Sequence, residues 1–161
     1  MAGKARAVRR RSPGTLLRAW LPALLWMGLI FYLSSRPDLP CHPDERADFV
    51  LKKAAHVVEY GILALLLWRA LANTSQTDSP ARWVFLLSLL YAISDEVHQL
   101  FVPGRNGTPL DVLFDALGAA LALLLLRRQQ GAMVMSAFRG DDQPEDQVGE
   151  QARQAAGQEE P

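Results

Sequence analysis

Residues 83–102 read WVFLLSLLYAISDEVHQLFV, and the character of this stretch decides how the rest of the chain is read. Residues 83–93 are almost wholly apolar, whereas the last third carries Asp95, Glu96, His98 and Gln99. At 1.5 Å per residue the apolar part reaches only about 16 Å, half of a hydrocarbon core of roughly 30 Å. A helix that spans a bilayer here must therefore take its charged residues in with it. An Asp at the bilayer centre costs about 2.5–3.5 kcal/mol and less near an interface, so such residues need partners or a wet cavity.

Three further blocks extend the pattern. Residues 15–33 (TLLRAWLPALLWMGLIFYL) have close to the roughly 20 residues that a span requires. Arg18 can snorkel to the interface, and Trp20 and Tyr32 suit an aromatic belt. A cleaved signal peptide is the competing reading of a basic start followed by an apolar run. No A-x-A-like site follows, and Asp38-Leu39-Pro40-Cys41 is a poor lipoprotein box, so a retained helix is expected. Residues 54–72 contain His56, Glu59 and Arg69, and residues 110–126 contain Asp111 and Asp115. The apolar remainder of the last block, 116–126, is again half a bilayer long.

Composition taken as a whole conceals this arrangement. The 161 residues include 17 Lys plus Arg and 17 Asp plus Glu, and 50% are hydrophobic. Zero net charge argues against a globally basic nucleic-acid binder, so no nucleic-acid partner is expected. One cysteine, Cys41, excludes an intrachain disulfide framework. The charges are segregated: Lys4, Arg6, Arg9, Arg10 and Arg11 precede Gly14 with no acid among them, and acids dominate from Gly140 onward. Three regions follow: a basic cytoplasmic tail over 1–14, an all-α membrane domain over 15–128, and an acidic, Gln-rich, disordered tail over 129–161. The domain is expected to be a small bundle of four transmembrane helices at about 15–33, 54–72, 83–102 and 110–126. The basic N-terminus and Arg127 and Arg128 give an N-in, C-in orientation.

That topology brings the polar residues together. Ser34 and Ser35 end helix 1, His56 and Glu59 begin helix 2, Asp95 to Gln99 end helix 3, and Asp111 and Asp115 begin helix 4. All lie toward the outer side. Helical spacing puts Lys53, His56, Glu59 and Tyr60 on one face and Asp95, His98 and Gln99 on another, with Glu96 about 100° from Asp95. Asp111, Asp115, Gly118, Ala119 and Ala122 form a stripe whose small residues permit close packing. The loop over 103–109 (PGRNGTP) holds Arg105 at the mouth of the cluster.

Three functions suit such a cluster. The plainest is a polar network that locks the helices of a membrane scaffold together. The second is an outward-facing pocket with Lys53, Glu59, Tyr60, Gln99, Arg105, Asp111 and Asp115 as binding residues. In that pocket Lys53 and Arg105 would hold the phosphate or carboxylate of an anionic envelope lipid or lipid-linked precursor. A catalytic version uses Glu96 or Asp95 as general base beside His98, with His56 as a further candidate. A divalent metal is a candidate cofactor, with His56, His98 and Glu96 as ligands. The third, a proton conduit, lacks a path through the charge-free inner half.

Four strings together are distinctive: Ser34-Ser35-Arg36-Pro37; Lys53, His56, Glu59 and Tyr60 in K-A-A-H-V-V-E-Y; Asp95-Glu96-Val97-His98-Gln99-Leu100-Phe101-Val102-Pro103-Gly104-Arg105; and Asp111, Asp115 and Gly118 in D-V-L-F-D-A-L-G. From about Leu24 to Leu126 the chain resembles the VanZ-like family. The resemblance implies a small multi-pass protein of the bacterial inner (cytoplasmic) membrane. It also implies a link to susceptibility to teicoplanin-type glycopeptides, the phenotype of the family's namesake, without assigning a reaction. Two departures from many relatives change the cluster's charge: Lys52 stands where they carry Asp, and Asp115 where they carry Asn.

Overall fold

A computed structural model of the chain describes residues 12–37, 43–75, 77, 79–105 and 107–139, which form four α-helices and, among the described residues, no strand. They are α1 (Pro13–Ser34), α2 (Glu45–Thr74), α3 (Pro80–Gln99) and α4 (Pro109–Arg139). The all-α expectation therefore holds. The basic tail over 1–11, the loop residues Cys41 and His42, and the acidic tail over 140–161 lie outside the described residues.

Capping chemistry explains the helix ends. Pro13 opens α1 behind Ser12, whose Oγ accepts from the Thr15 amide at 3.4 Å. α2 begins at Glu45, well before the apolar block that starts at Ala54. Its start is set by Asp44, whose Oδ1 accepts from the amides of Arg46 (2.8 Å) and Ala47 (3.1 Å). Glu45 and Asp48 in the first turn complement the helix dipole. Lys52 then pairs with Asp48 at 2.7 Å, one turn back. Hydropathy alone misses this charged first third of α2 because its stability comes from caps and side-chain pairs rather than from burial.

α3 stops at Gln99, short of the expected Val102, because the chain turns there. Phe101 and Val102 donate to the carbonyls of His98 and Gln99 at 3.0 and 3.1 Å, and Gly104 follows with φ +81°. Thr108 caps α4 through its carbonyl and Oγ1, which accept from the Asp111 amide at 2.9 and 3.3 Å. α4 continues past Leu126 to Arg139, so the polar residues from Gln129 to Arg139 are helical, where composition suggests disorder. Ala, Met, Gln and Arg among them are good helix formers. The described residues up to Leu124 make one compact unit, and those from Leu125 to Arg139 belong to a second.

Within the first unit α1 packs on α2 and α3, and α2 packs on α3. The core is built from small and medium side chains, among them Ala19, Ala23 and Ile30 of α1, Tyr60, Leu63 and Ala64 of α2, Val84 and Ala92 of α3, and Ala119 of α4. Indole and phenol groups cross-tie the helices: Trp26 Nε1 donates to the Glu59 carbonyl at 2.9 Å, and Tyr91 Oη donates to the Met27 carbonyl at 2.6 Å. The outer surface of this unit is apolar, with Leu25, Leu90 and Leu124 among many exposed leucines. Among the described residues two segments, Pro13–Ser34 and Pro109–Ala132, are long and apolar enough to cross a membrane.

Candidate functional site

Because consecutive helices run in opposite directions, the end of α1, the start of α2, the end of α3 and the start of α4 meet at one end of the bundle. There the polar residues sort into three adjoining groups. The first is an ion pair between Lys53 Nζ and Asp111 Oδ1, with Lys53 also 5.2 Å from the Phe49 ring centre and 6.0 Å from that of Phe114. Both partners are largely shielded from solvent. The second is His56 Nδ1 against Asp115 Oδ1 at 2.9 Å, with Asp115 wholly buried. The third joins α3 to α1: Asp95 Oδ2 accepts from Ser34 Oγ at 2.8 Å and from Gln99 Nε2 at 3.1 Å.

Glu96 links α3 to the loop that leads into α4. Its Oε2 accepts from the Thr108 amide at 2.7 Å, and its Oε1 lies 3.3 Å from Gln99 Nε2. Gly107 is required beside it, because a Cβ there would collide with the Glu96 carbonyl. The carboxylate and imidazole atoms of His56, Glu96 and Asp115 come within 4.8 Å of one another.

A cavity of about 550 Å³ opens at this end, with Lys53, His56, Glu59, Gln99, Arg105 and Asp111 in its wall. Glu96 and Asp115 are buried and are not part of that wall. Glu96 and Asp115 therefore form an inner layer, behind a wall that holds the acids Glu59 and Asp111 as well as the cations Lys53 and Arg105. Arg105 has its Nε buried with no hydrogen-bond partner. Of the candidates read from sequence, Lys53, His56, Glu59, Asp95, Glu96, Gln99, Arg105, Asp111 and Asp115 all belong to the cavity wall or to the groups directly behind it.

Two residues do not. Tyr60 is wholly buried, with its ring centre 6.2 Å from that of Tyr91, and it is not part of the cavity wall. His98 turns toward α1, with Nε2 2.9 Å from Ser35 Oγ and its ring stacked on Phe31 at 4.2 Å between centres. Asp95 and Gln99, one turn apart, face inward together, while His98 is 100° from Gln99 and so leaves the cluster. The metal-type group accordingly contains Asp115 where helical spacing alone puts His98.

Two partners stand outside the candidate site residues, although Ser34 already belongs to the outer polar cluster read from sequence. Ser34 ends α1 and supplies the hydroxyl for Asp95; the polar pair Ser34-Ser35 closing an apolar run is the available signal. Thr108 contributes through its backbone, which no residue type announces. Ser34→Ala is expected to destabilise the bundle by about 1–2 kcal/mol, since Asp95 Oδ1 is already without a partner and Oδ2 would lose one of its two. A urea or thermal unfolding series on the detergent-solubilised protein measures it; an unchanged midpoint would mean that water replaces the hydroxyl at no cost.

Comparison with curated proteins and with solved structures yields no match. The family model VanZ/LLP1, by contrast, matches residues 19–130, a span that includes every residue of the cluster just described. The chain belongs to the VanZ/LLP1 family.

Proposed function

We propose that this VanZ-like membrane protein crosses the bacterial cytoplasmic membrane four times, N-in and C-in, and that its polar cavity opens on the outer side to bind the anionic head group of an envelope lipid or lipid-linked precursor. Through that binding it alters susceptibility to teicoplanin-type glycopeptides. One observation carries the reading: the Arg105 side chain borders the cavity with Nε buried and unpartnered, while the neighbouring cation Lys53 is already paired with Asp111. A buried donor without an acceptor is costly, and an anionic oxygen would satisfy it, with the planar guanidinium able to grip a phosphate through two hydrogen bonds. The apolar outer surface supports a lipid setting, and the cavity volume falls within the range usual for small-molecule sites.

Native mass spectrometry of the protein with phosphatidylglycerol and with a polyprenyl phosphate tests the reading. Arg105→Ala is expected to weaken binding by about tenfold or more, with Arg105→Lys intermediate because it keeps the charge and loses the fork. Teicoplanin susceptibility of a host expressing each variant should follow the same order. Equal lipid binding by wild type and a folded Arg105→Ala protein would leave the cluster as a structural network only. Reporter fusions after Thr74 and after Gly107 check the orientation: the first should report the cytoplasm, the second the outer side.

A further inference from the structure

We infer that His56, Glu96 and Asp115 form a binding site for a divalent transition-metal ion of the Zn²⁺ or Mn²⁺ class at the inner side of the cavity. Three residues from α2, α3 and α4 bring their ligand atoms within 4.8 Å of one another. Two of them, Glu96 and Asp115, are 6% and 0% exposed. Among the described residues no Lys or Arg pairs with either carboxylate: Lys53 is taken by Asp111, and Lys52 by Asp48. A single imidazole thus faces two buried carboxylates, an arrangement that leaves negative charge uncompensated in a region shielded from water.

A second observation is independent of the charge count. Asp115 Oδ2 is buried and has no hydrogen-bond partner, although its sister oxygen is held by His56. Carboxylate oxygens at such depth normally accept a hydrogen bond or ligate an ion. One imidazole and two carboxylates are a donor set suited to Zn²⁺ or Mn²⁺. The second ligand, Glu96, is oriented from outside by the Thr108 amide and Gln99 Nε2, the kind of support that metal-bound carboxylates carry. Asp95 likewise has one buried oxygen without a partner, but its other oxygen is held by Ser34 and Gln99 and its carboxylate stands outside the group.

The inference deepens the head-group reading, because His56 belongs both to this group and to the cavity wall. Three protein ligands leave coordination positions for water or for an anionic oxygen. It rests, however, on residues other than Arg105, so the two ideas can fail separately.

The test uses the full chain in detergent or nanodiscs, stripped with a chelator and titrated with Co²⁺ as a spectroscopic probe and then with Zn²⁺ and Mn²⁺. One ion per chain is expected, with visible Co²⁺ absorption. Asp115→Asn, which keeps a carbonyl oxygen for His56, and His56→Ala should each weaken binding at least tenfold; His98→Ala should bind like wild type. Thermal melting of each apo variant shows that it is folded, and a metal-dependent rise in melting temperature should appear in wild type and His98→Ala alone. Failure of the wild type to bind any of the three ions stoichiometrically overturns the site, as does wild-type affinity in Asp115→Asn. In either case the lipid assay on Arg105→Ala still decides the head-group reading.

Discussion

Gly118→Val is expected to leave no stably folded bundle. A Cβ at this position would lie 2.9 Å from both Cα and the carbonyl carbon of Val57, and closer still to the carbonyl oxygen. These are backbone atoms of α2, so no side-chain rotation can make room. One turn along α2, a Cβ added at Gly61 would lie 3.5 Å from the Gly118 carbonyl oxygen, an ordinary contact, so the two helices pass here and the tight point is Gly118. The same seam carries Lys53–Asp111 and His56–Asp115. Driving α4 away from α2 therefore overpacks one point and stretches two polar contacts at once. Overpacking typically costs about 1–3 kcal/mol and disruption of a buried pair about 3–5 kcal/mol, so a combined loss above about 3 kcal/mol is expected. The yield of monodisperse protein and its melting temperature measure the effect. Gly28→Ala is the control, since nothing lies within 4 Å of a Cβ there and stability should stay within about 0.5 kcal/mol. A Gly118→Val protein that melts like wild type would show that α2 and α4 do not meet at this point.

The second large effect is expected from Lys53→Met. The side chains of Lys53 and Asp111 retain only 15% and 9% of their exposure. Methionine keeps the apolar stem and its packing near Phe49 and Phe114 but removes the ammonium, leaving Asp111 charged and unpaired. Breaking such a pair from one side costs about 3–5 kcal/mol. Adding Asp111→Asn should recover most of it, because the neutral amide no longer needs a counter-ion. A double-mutant cycle by denaturant unfolding reads this directly as a coupling of the two sites. Additive effects of the two substitutions would mean that the pair is open to water and of little weight.

Much of the molecule is legible in its residue pattern. The four apolar blocks mark the four helices, and the short apolar part of 83–102 already requires the carboxylates of α3 to lie inside the helix. Alternation of helix direction then brings the polar ends together, and the structure assembles them there. The parts that escape depend on rotation and on backbone. Periodicity puts His98 beside Gln99, but the two are 100° apart, and only the packing of α3 against α1 decides which of them turns toward Ser35. The start of α2 escapes because Asp44 and the Asp48–Lys52 pair stabilise a helix with no apolar face to reveal it. Lys52 is absorbed by that local pair. Asp115, whose charge also sets the balance of the cluster, has no such local answer and is wholly buried within the group.

The unequal apolarity of the helices bears on how the protein is made. Among the described residues, α1 and the apolar part of α4 are the helices long and apolar enough to cross a membrane. Under the proposed topology, α2 and α3 leave the ribosome with Lys53, His56, Asp95 and Glu96 before the helix that bears Asp111 and Asp115 exists. A chain arrested after α3 would hold Lys53 and His56 in hydrocarbon without their partners, and Glu96 without the Thr108 amide. Under that topology a chain truncated before α4 is expected to persist in the membrane less well than the full chain, because the polar residues of α2 and α3 then lack the partners that α4 supplies.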